Sequence, residues 1–309
     1  KLLYELGRPD EAITKMEEFT EKYPDDLHVT EIRELLSGAY VNASNYHKAI
    51  EHIEKLNRRT LATDAAYQKA TLFNGYEAFN KTEYSKAIDF FRKSLTVPLD
   101  LSLAAEAHLW LGEISSINGS LEEAESSYES SLTNTAANPL TIAKANYGLG
   151  YVRFNQRKYD LALRNFKEFV KRATNDNPRL TDGLIRLGDC YYATKAYAEA
   201  LTQYRKAFEL GKYSIDYAKM QAGVMLGILR KYAEGIALLD QVVRSYTTSI
   251  HWDEAVFQRA QLEFEQSRYD LARDGYTLLI DSKPASRFVP FAKVRRAASN
   301  FNLKAYGLT

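Results

Sequence analysis

Five histidines, one cysteine and a few adjacent carboxylates are the groups in this sequence that could carry chemistry. His47 and His52 lie five apart, which puts them on different parts of a helix; two imidazoles that share a metal from one helix stand four apart. His108 falls on a packed helix face and is read as a core residue. Cys190 is the only cysteine, so there is no intrachain disulfide and no cysteine-built metal cluster. It stands between Asp189 and Tyr191, and a neighbouring carboxylate disfavours the thiolate, so it is read as a buried, inert thiol. Glu122 and Glu123 belong to the polar face of a helix, and nothing marks them for acid–base work. No glycine loop that cradles phosphate and no nucleophile elbow occurs. Asn42-Ala43-Ser44, Asn80-Lys81-Thr82 and Asn118-Gly119-Ser120 match the glycosylation sequon and are read as helix-end and turn residues. The expectation is a chain that is not an enzyme, with no cofactor and no metal.

The elements that position these residues repeat. Thr181 to Leu210 reads as two amphipathic helices joined by a tight turn, with Leu184, Leu187, Gly188 and Tyr191 at helical spacing, then Ala200, Tyr204 and Ala207. Its second-helix small residue recurs as Ala12, Ala49, Ala87, Ala124, Ala162, Ala200, Gly235 and Ala272, at spacings of 35 to 38. Twelve residues earlier stand Ser37, Gly75, Gly112, Gly150, Gly188, Gly223 and Ala260. Four residues after the small column come Met16, Ile53, Phe91, Tyr128, Phe166, Tyr204, Leu239 and Tyr276. Helical hairpins of this kind bury their apolar faces only by stacking on neighbours. The fold class expected is all-α: a right-handed α-solenoid of about eight stacked repeats. The units run 1–28 (partial), 29–66, 67–103, 104–141, 142–179, 180–214, 215–251, 252–289 and 290–309 (partial). They form a single solenoid over 1–309, because no Gly, Ser or Pro run suggests a flexible linker. Thr141 and Thr181 are expected N-caps of the helices that follow them.

These columns resemble the tetratricopeptide repeat. Leu184, Leu187-Gly188, Tyr191, Ala200, Tyr204 and Ala207 match its pattern residue by residue, as do Leu149-Gly150, Ala162 and Phe166. The longest connectors carry the period past the family's usual value of about 34. Phrases such as FTEKYPDD resemble the extracytoplasmic branch, which includes periplasmic envelope coordinators and outer-membrane assembly lipoproteins. That resemblance implies the periplasm or cell envelope of a Gram-negative bacterium, with the cytoplasm as the alternative. Arg259-Ala260 departs from the expected Leu-Gly.

The resemblance also implies where a ligand sits. First helices of the family line a concave groove, and the side chains available there are Tyr76, Phe79, Glu113, Tyr147, Tyr151, Phe154, Asp189, Tyr192 and Phe257. An aromatic stripe of this kind suits a partner peptide or helix; it is equally the packing of the array. The alternating charges Glu31, Lys69, Glu106, Lys144 and Asp182 are read as surface pairs, individually weak. The family's basic clamp for a C-terminal carboxylate is absent, because Leu72 and Tyr147 stand beside Lys69 and Lys144.

A net charge of +1 argues against broad binding to nucleic acid or an anionic membrane. No apolar run is long enough to span a bilayer. The chain opens at Lys1 inside the repeat pattern and is read as a fragment of a longer one, with self-association through uncapped ends as a further expectation. The functional expectation is a non-enzymatic scaffold or adaptor. The alternative is a regulatory or substrate-docking arm of a larger enzyme or signalling protein.

Overall fold

The computed structural model describes residues 3, 6, 8–174 and 176–304, and among these it holds sixteen helices and no strand. The chain forms two compact units, Lys1–Gln156 and Arg157–Thr309. In the first unit the helices are α1 (Pro9–Lys22), α2 (Val29–Asn42), α3 (Tyr46–Glu54), α4 (Leu61–Asn80), α5 (Tyr84–Leu95), α6 (Leu101–Ile117), α7 (Leu121–Thr133) and α8 (Pro139–Asn155). The second unit holds α9 (Tyr159–Arg172), α10 (Leu180–Ala193), α11 (Tyr197–Leu210) and α12 (Ile215–Ile228). It continues with α13 (Tyr232–Ser245), α14 (Trp252–Glu265), α15 (Tyr269–Ser282) and α16 (Val289–Asn302). Each unit is a stack of helical hairpins, α2–α3, α4–α5 and α6–α7 in the first, α10–α11, α12–α13 and α14–α15 in the second. This is the α-solenoid architecture that the repeat columns predict.

The columns are the core. Ala49, Ala87, Ala124, Ala200 and Ala272 are fully buried, and so are Ile53, Phe91, Tyr204, Leu239 and Tyr276 one turn later. A Cβ built on Gly75, Gly112 or Gly188 would come within 2.5, 2.8 or 2.7 Å of a ring carbon of Phe91, Tyr128 or Tyr204. The small residue of the first helix therefore makes room for the large residue of the second, sixteen positions on, and not only for the small residue twelve on. In α12–α13 the two small residues do meet, since a Cβ on Gly235 would lie 2.9 Å from the Gly223 carbonyl oxygen.

The turn inside each hairpin follows one geometry. The residue five before the small column is left-handed: Ser44, Thr82, Gly119, Lys195, Arg230 and Ser267 have φ between 57° and 77°. The next amide reaches back across the helix end, as in Asn45 N–H to Tyr40 C=O at 2.8 Å, Ala196 to Tyr191 at 2.8 Å and Lys231 to Leu226 at 2.8 Å. This is the Schellman closure, which satisfies carbonyls the helix end would otherwise leave bare. The three Asn-x-Ser/Thr triplets fall at these helix ends.

The connectors between hairpins are tied down by side chains. Buried Gln68 grips the backbone of Asp100 in both directions, its amide donating to the carbonyl and accepting from the N–H, each at 2.8 Å. In the second unit Ser249 donates to Asp216, and Ser286 to Asp253, each bond linking a connector to a first turn one repeat earlier. Thr141 and Thr181 are not the caps. Both lie buried inside their helices; for Thr141 the reason is Pro139 at the first helical position, which starts α8 early and lets Asn138 cap it by accepting from Thr141 N–H at 2.8 Å. α10 likewise begins at Leu180, and its capping position, Arg179, makes no side-chain bond.

Candidate partner-binding surface

The first helices carry the candidate residues, and their surroundings divide them. On α4, Tyr76 is half-buried in an aromatic cluster, its ring centre 5.4 Å from Phe73, 5.4 Å from Trp110 and 5.8 Å from Phe91. Its hydroxyl donates to Glu106 of the next first helix, α6, and burial together with that carboxylate pushes the phenol well above its ordinary value. Phe79, one turn on, packs edge-on against Trp110 at 4.7 Å and tilts against Tyr84 at 5.6 Å. These two aromatics are thus held together by Trp110, which the columns do not single out. Its available signal was its type, since tryptophan is enriched at binding hot spots. The Lys144 ammonium sits 5.8 Å from the centre of the same ring. Glu113 is partly buried on α6.

On α8, Tyr147, Tyr151 and Phe154 follow at helical spacing and are all half-buried. The two tyrosine rings meet edge-to-face at 5.1 Å. In the second unit, Tyr192 is 45% exposed and tilts toward Tyr197 at 6.1 Å. Phe257 is half-buried, with Phe288 stacked at 5.4 Å and Tyr276 at 5.8 Å.

Asp189 faces inward. It is 8% exposed and accepts from Tyr204 Oη at 2.7 Å, Tyr217 Oη at 2.9 Å and Arg186 Nη1 at 2.7 Å, so one carboxylate joins α10, α11 and α12. Burial raises its carboxyl above the ordinary aspartate value although all three partners oppose the shift. The Tyr217–Asp189 bond repeats what Tyr76–Glu106 does in the first unit: in each, a first-helix residue bonds the N-terminal half of the next first helix. The charge ladder read as solvated pairs therefore includes one rung, Glu106, that anchors a neighbouring repeat.

Three of the groups considered for chemistry, Cys190, His52 and His108, are taken up by packing. Burial pushes the Cys190 thiol up to about 12, and the Asp189 carboxylate adds to the shift. Burial lowers His52 and His108, and His52 Nε2 bonds the Arg33 carbonyl at 2.9 Å. Among the described residues no three His, Cys, Asp or Glu side chains converge as a metal requires. No described helix is long and apolar enough to cross a membrane.

Two family models, each described as tetratricopeptide repeat, match residues 141–212 and 1–26. These stretches are tetratricopeptide repeats. Solved structures of the same type resemble the chain throughout much of its length. YrrB, a tetratricopeptide-repeat protein with an unusual peptide-binding site, superposes with a TM-score of 0.53 at 20% identity, over 61% of this chain and 91% of its own. PilF of Pseudomonas aeruginosa gives 0.53 at 17% identity, covering 75% and 98%. The C-terminal part of a repeat-containing protein of Cytophaga hutchinsonii gives 0.54 at 14% identity, covering 84% and 98%. At these identities the likeness is one of fold. No curated protein matches the chain. Tetratricopeptide repeats in general serve as non-catalytic scaffolds for protein partners, and no catalytic domain is evident among the described residues.

Proposed function

We propose that this chain is a non-enzymatic interaction scaffold that holds a peptide or helix of a partner protein against its first-helix face. The observation that carries the reading is the row Tyr147, Tyr151 and Phe154 on α8, three aromatics at helical spacing that remain half-buried in a stack whose true core aromatics are fully buried. A row of ring edges offers large apolar area at low conformational cost, which suits capture of an extended or helical segment. Peptide binding by YrrB supports the reading by analogy of fold. Tyr76 and Phe79 serve the scaffold differently, by building the floor around Trp110.

The test is capture of partners from the native host with wild type and with Tyr147→Ala/Tyr151→Ala. Loss of the captured partner with an unchanged helical circular dichroism signal is the expected result. Undiminished capture by the double variant would sink the proposal. The connector lengths further support a place in a Gram-negative cell envelope, and fractionation of the natural protein into periplasm and cytoplasm tests that separately.

A further inference from the structure

The groove between the second helices α13 and α15 has a floor unlike that of its counterpart. Between α5 and α7 the corresponding cavity, about 530 Å³, has Leu111 and Ser115 of α6 at its base. Between α13 and α15 the cavity measures about 590 Å³, and its base is Arg259 and Glu263, one turn apart on α14. Their side chains are only 21% and 10% exposed. Taking a guanidinium and a carboxylate out of water is unfavourable, and apolar side chains of similar volume serve a fold as well or better. Stability therefore does not account for this pair.

The ion pairs around the groove leave donors over. Asp240 Oδ1 accepts from Arg259 Nη1 at 2.6 Å, and Asp240 Oδ2 lies 2.6 Å from Arg244 Nε. Arg268 Nε lies 2.8 Å from Glu263 Oε2 but off the N–H axis, so that buried oxygen accepts no hydrogen bond. Asp274, at the rim, pairs with Arg273 instead, at 2.8 Å. Three guanidiniums thus pair with two carboxylates, with Asp270 also near Glu263, and each guanidinium has five N–H groups to offer. Arg259 and Arg268 present forks suited to a planar carboxylate. Leu271 and Leu278, 46% and 38% exposed, line the same groove on α15. Burial raises the Glu263 carboxyl above the ordinary glutamate value.

We propose that the α13–α15 groove is a second binding site, for a peptide segment with a carboxylate side chain between apolar neighbours. The carboxylate meets Arg259 and Arg268, and the neighbours rest on Leu271 and Leu278. The site shares no residue with the Tyr147, Tyr151 and Phe154 row. A pocket of this volume lies within the range that holds small ligands.

The test titrates the nitrogen-15-labelled chain with N-acetyl-Leu-Glu-Leu amide, its Gln counterpart and inorganic phosphate. It follows the Arg259 and Arg268 Nε–H signals, assigned with Arg259→Lys and Arg268→Lys. The Glu peptide is expected to shift both signals in the millimolar range, the Gln peptide to leave them in place, and Arg268→Gln to weaken binding by about tenfold or more. Tyr147→Ala/Tyr151→Ala should leave this binding unchanged, which separates it from the first-helix reading. Unmoved signals, equal shifts with the Gln peptide, or equal shifts with phosphate would each overturn the proposal. Arg259→Leu guards against a purely structural role. It should lose the peptide while holding or raising the melting temperature, and a large fall in melting temperature with affinity retained would overturn the proposal too.

Discussion

Gly188 and Gly38 are both helical glycines in first helices, and the space around them predicts opposite outcomes. A methyl on Gly188 would sit 2.7 Å from the Tyr204 ring, whereas a methyl on Gly38 meets nothing within 4 Å. Gly188→Ala should destabilise by about 1–3 kcal/mol through overpacking. Gly38→Ala should stabilise by about 0.5–1 kcal/mol, because glycine loses more backbone freedom on folding than alanine. Urea unfolding midpoints of the two variants check both signs. Asp189 gives a prediction in pH. Its carboxyl is raised in the folded state, so the folded chain binds the proton more readily than the unfolded one. Its contribution to stability therefore falls as pH rises from the ordinary aspartate value through the raised folded value. The stability of wild type relative to Asp189→Asn should accordingly be greater in acid than at neutral pH, measured by denaturant unfolding across that range. The small and large columns could be read from sequence because they follow from volume alone. The Asp189 network could not, because Tyr217 lies 28 residues away and reaches the carboxylate only once two hairpins are seated together.

At the scale of the element, the hairpin turn is the sharpest case. Left-handed φ costs an L-residue about 1–2 kcal/mol, and β-branched residues tolerate it worst. Thr82 holds φ 59° where the third hairpin of the same unit has Gly119 at 77°. Thr82→Gly should therefore raise stability by about 0.5–1 kcal/mol after the entropy of glycine in the unfolded chain is subtracted. Gly119→Thr should lower it by about the same, and thermal unfolding of both variants decides the matter. The turn's place was legible from the polar triplets, but its backbone was not. Ser, Thr, Lys and Arg do not announce a positive φ, and the Schellman bond that holds it depends on where the preceding helix stops. The capping threonines failed for a related reason: Pro139 fixes the start of α8 upstream of Thr141, and local propensity yields to it.

At the scale of the whole molecule, each hairpin within a unit touches chiefly its neighbours, so the stability of a unit should behave as a sum of repeat and interface contributions. Damage is then expected to fade with distance along the array. In the second unit, Gly188→Ala should lower amide hydrogen-exchange protection most in α10 and α11, less in α9 and α12, and least in α15 and α16. Equal loss across those helices would show a unit that opens as a single block instead.

Volume and periodicity, both properties of the sequence alone, determined that the chain is a stack of helical hairpins and which columns form its core. They also placed Tyr147, Tyr151 and Phe154 on one helix face, since helical spacing is local. Only the tertiary structure decided which candidates remain at a surface. It turned Asp189 inward, locked Tyr76 to Glu106 and Trp110, and gathered Arg259, Glu263 and Arg268 around one groove. Tyr76–Glu106, Tyr217–Asp189 and Arg259–Asp240 each join residues of different repeats, which no local pattern encodes. The same physics answers for Cys190 and His108, from which burial withholds charge.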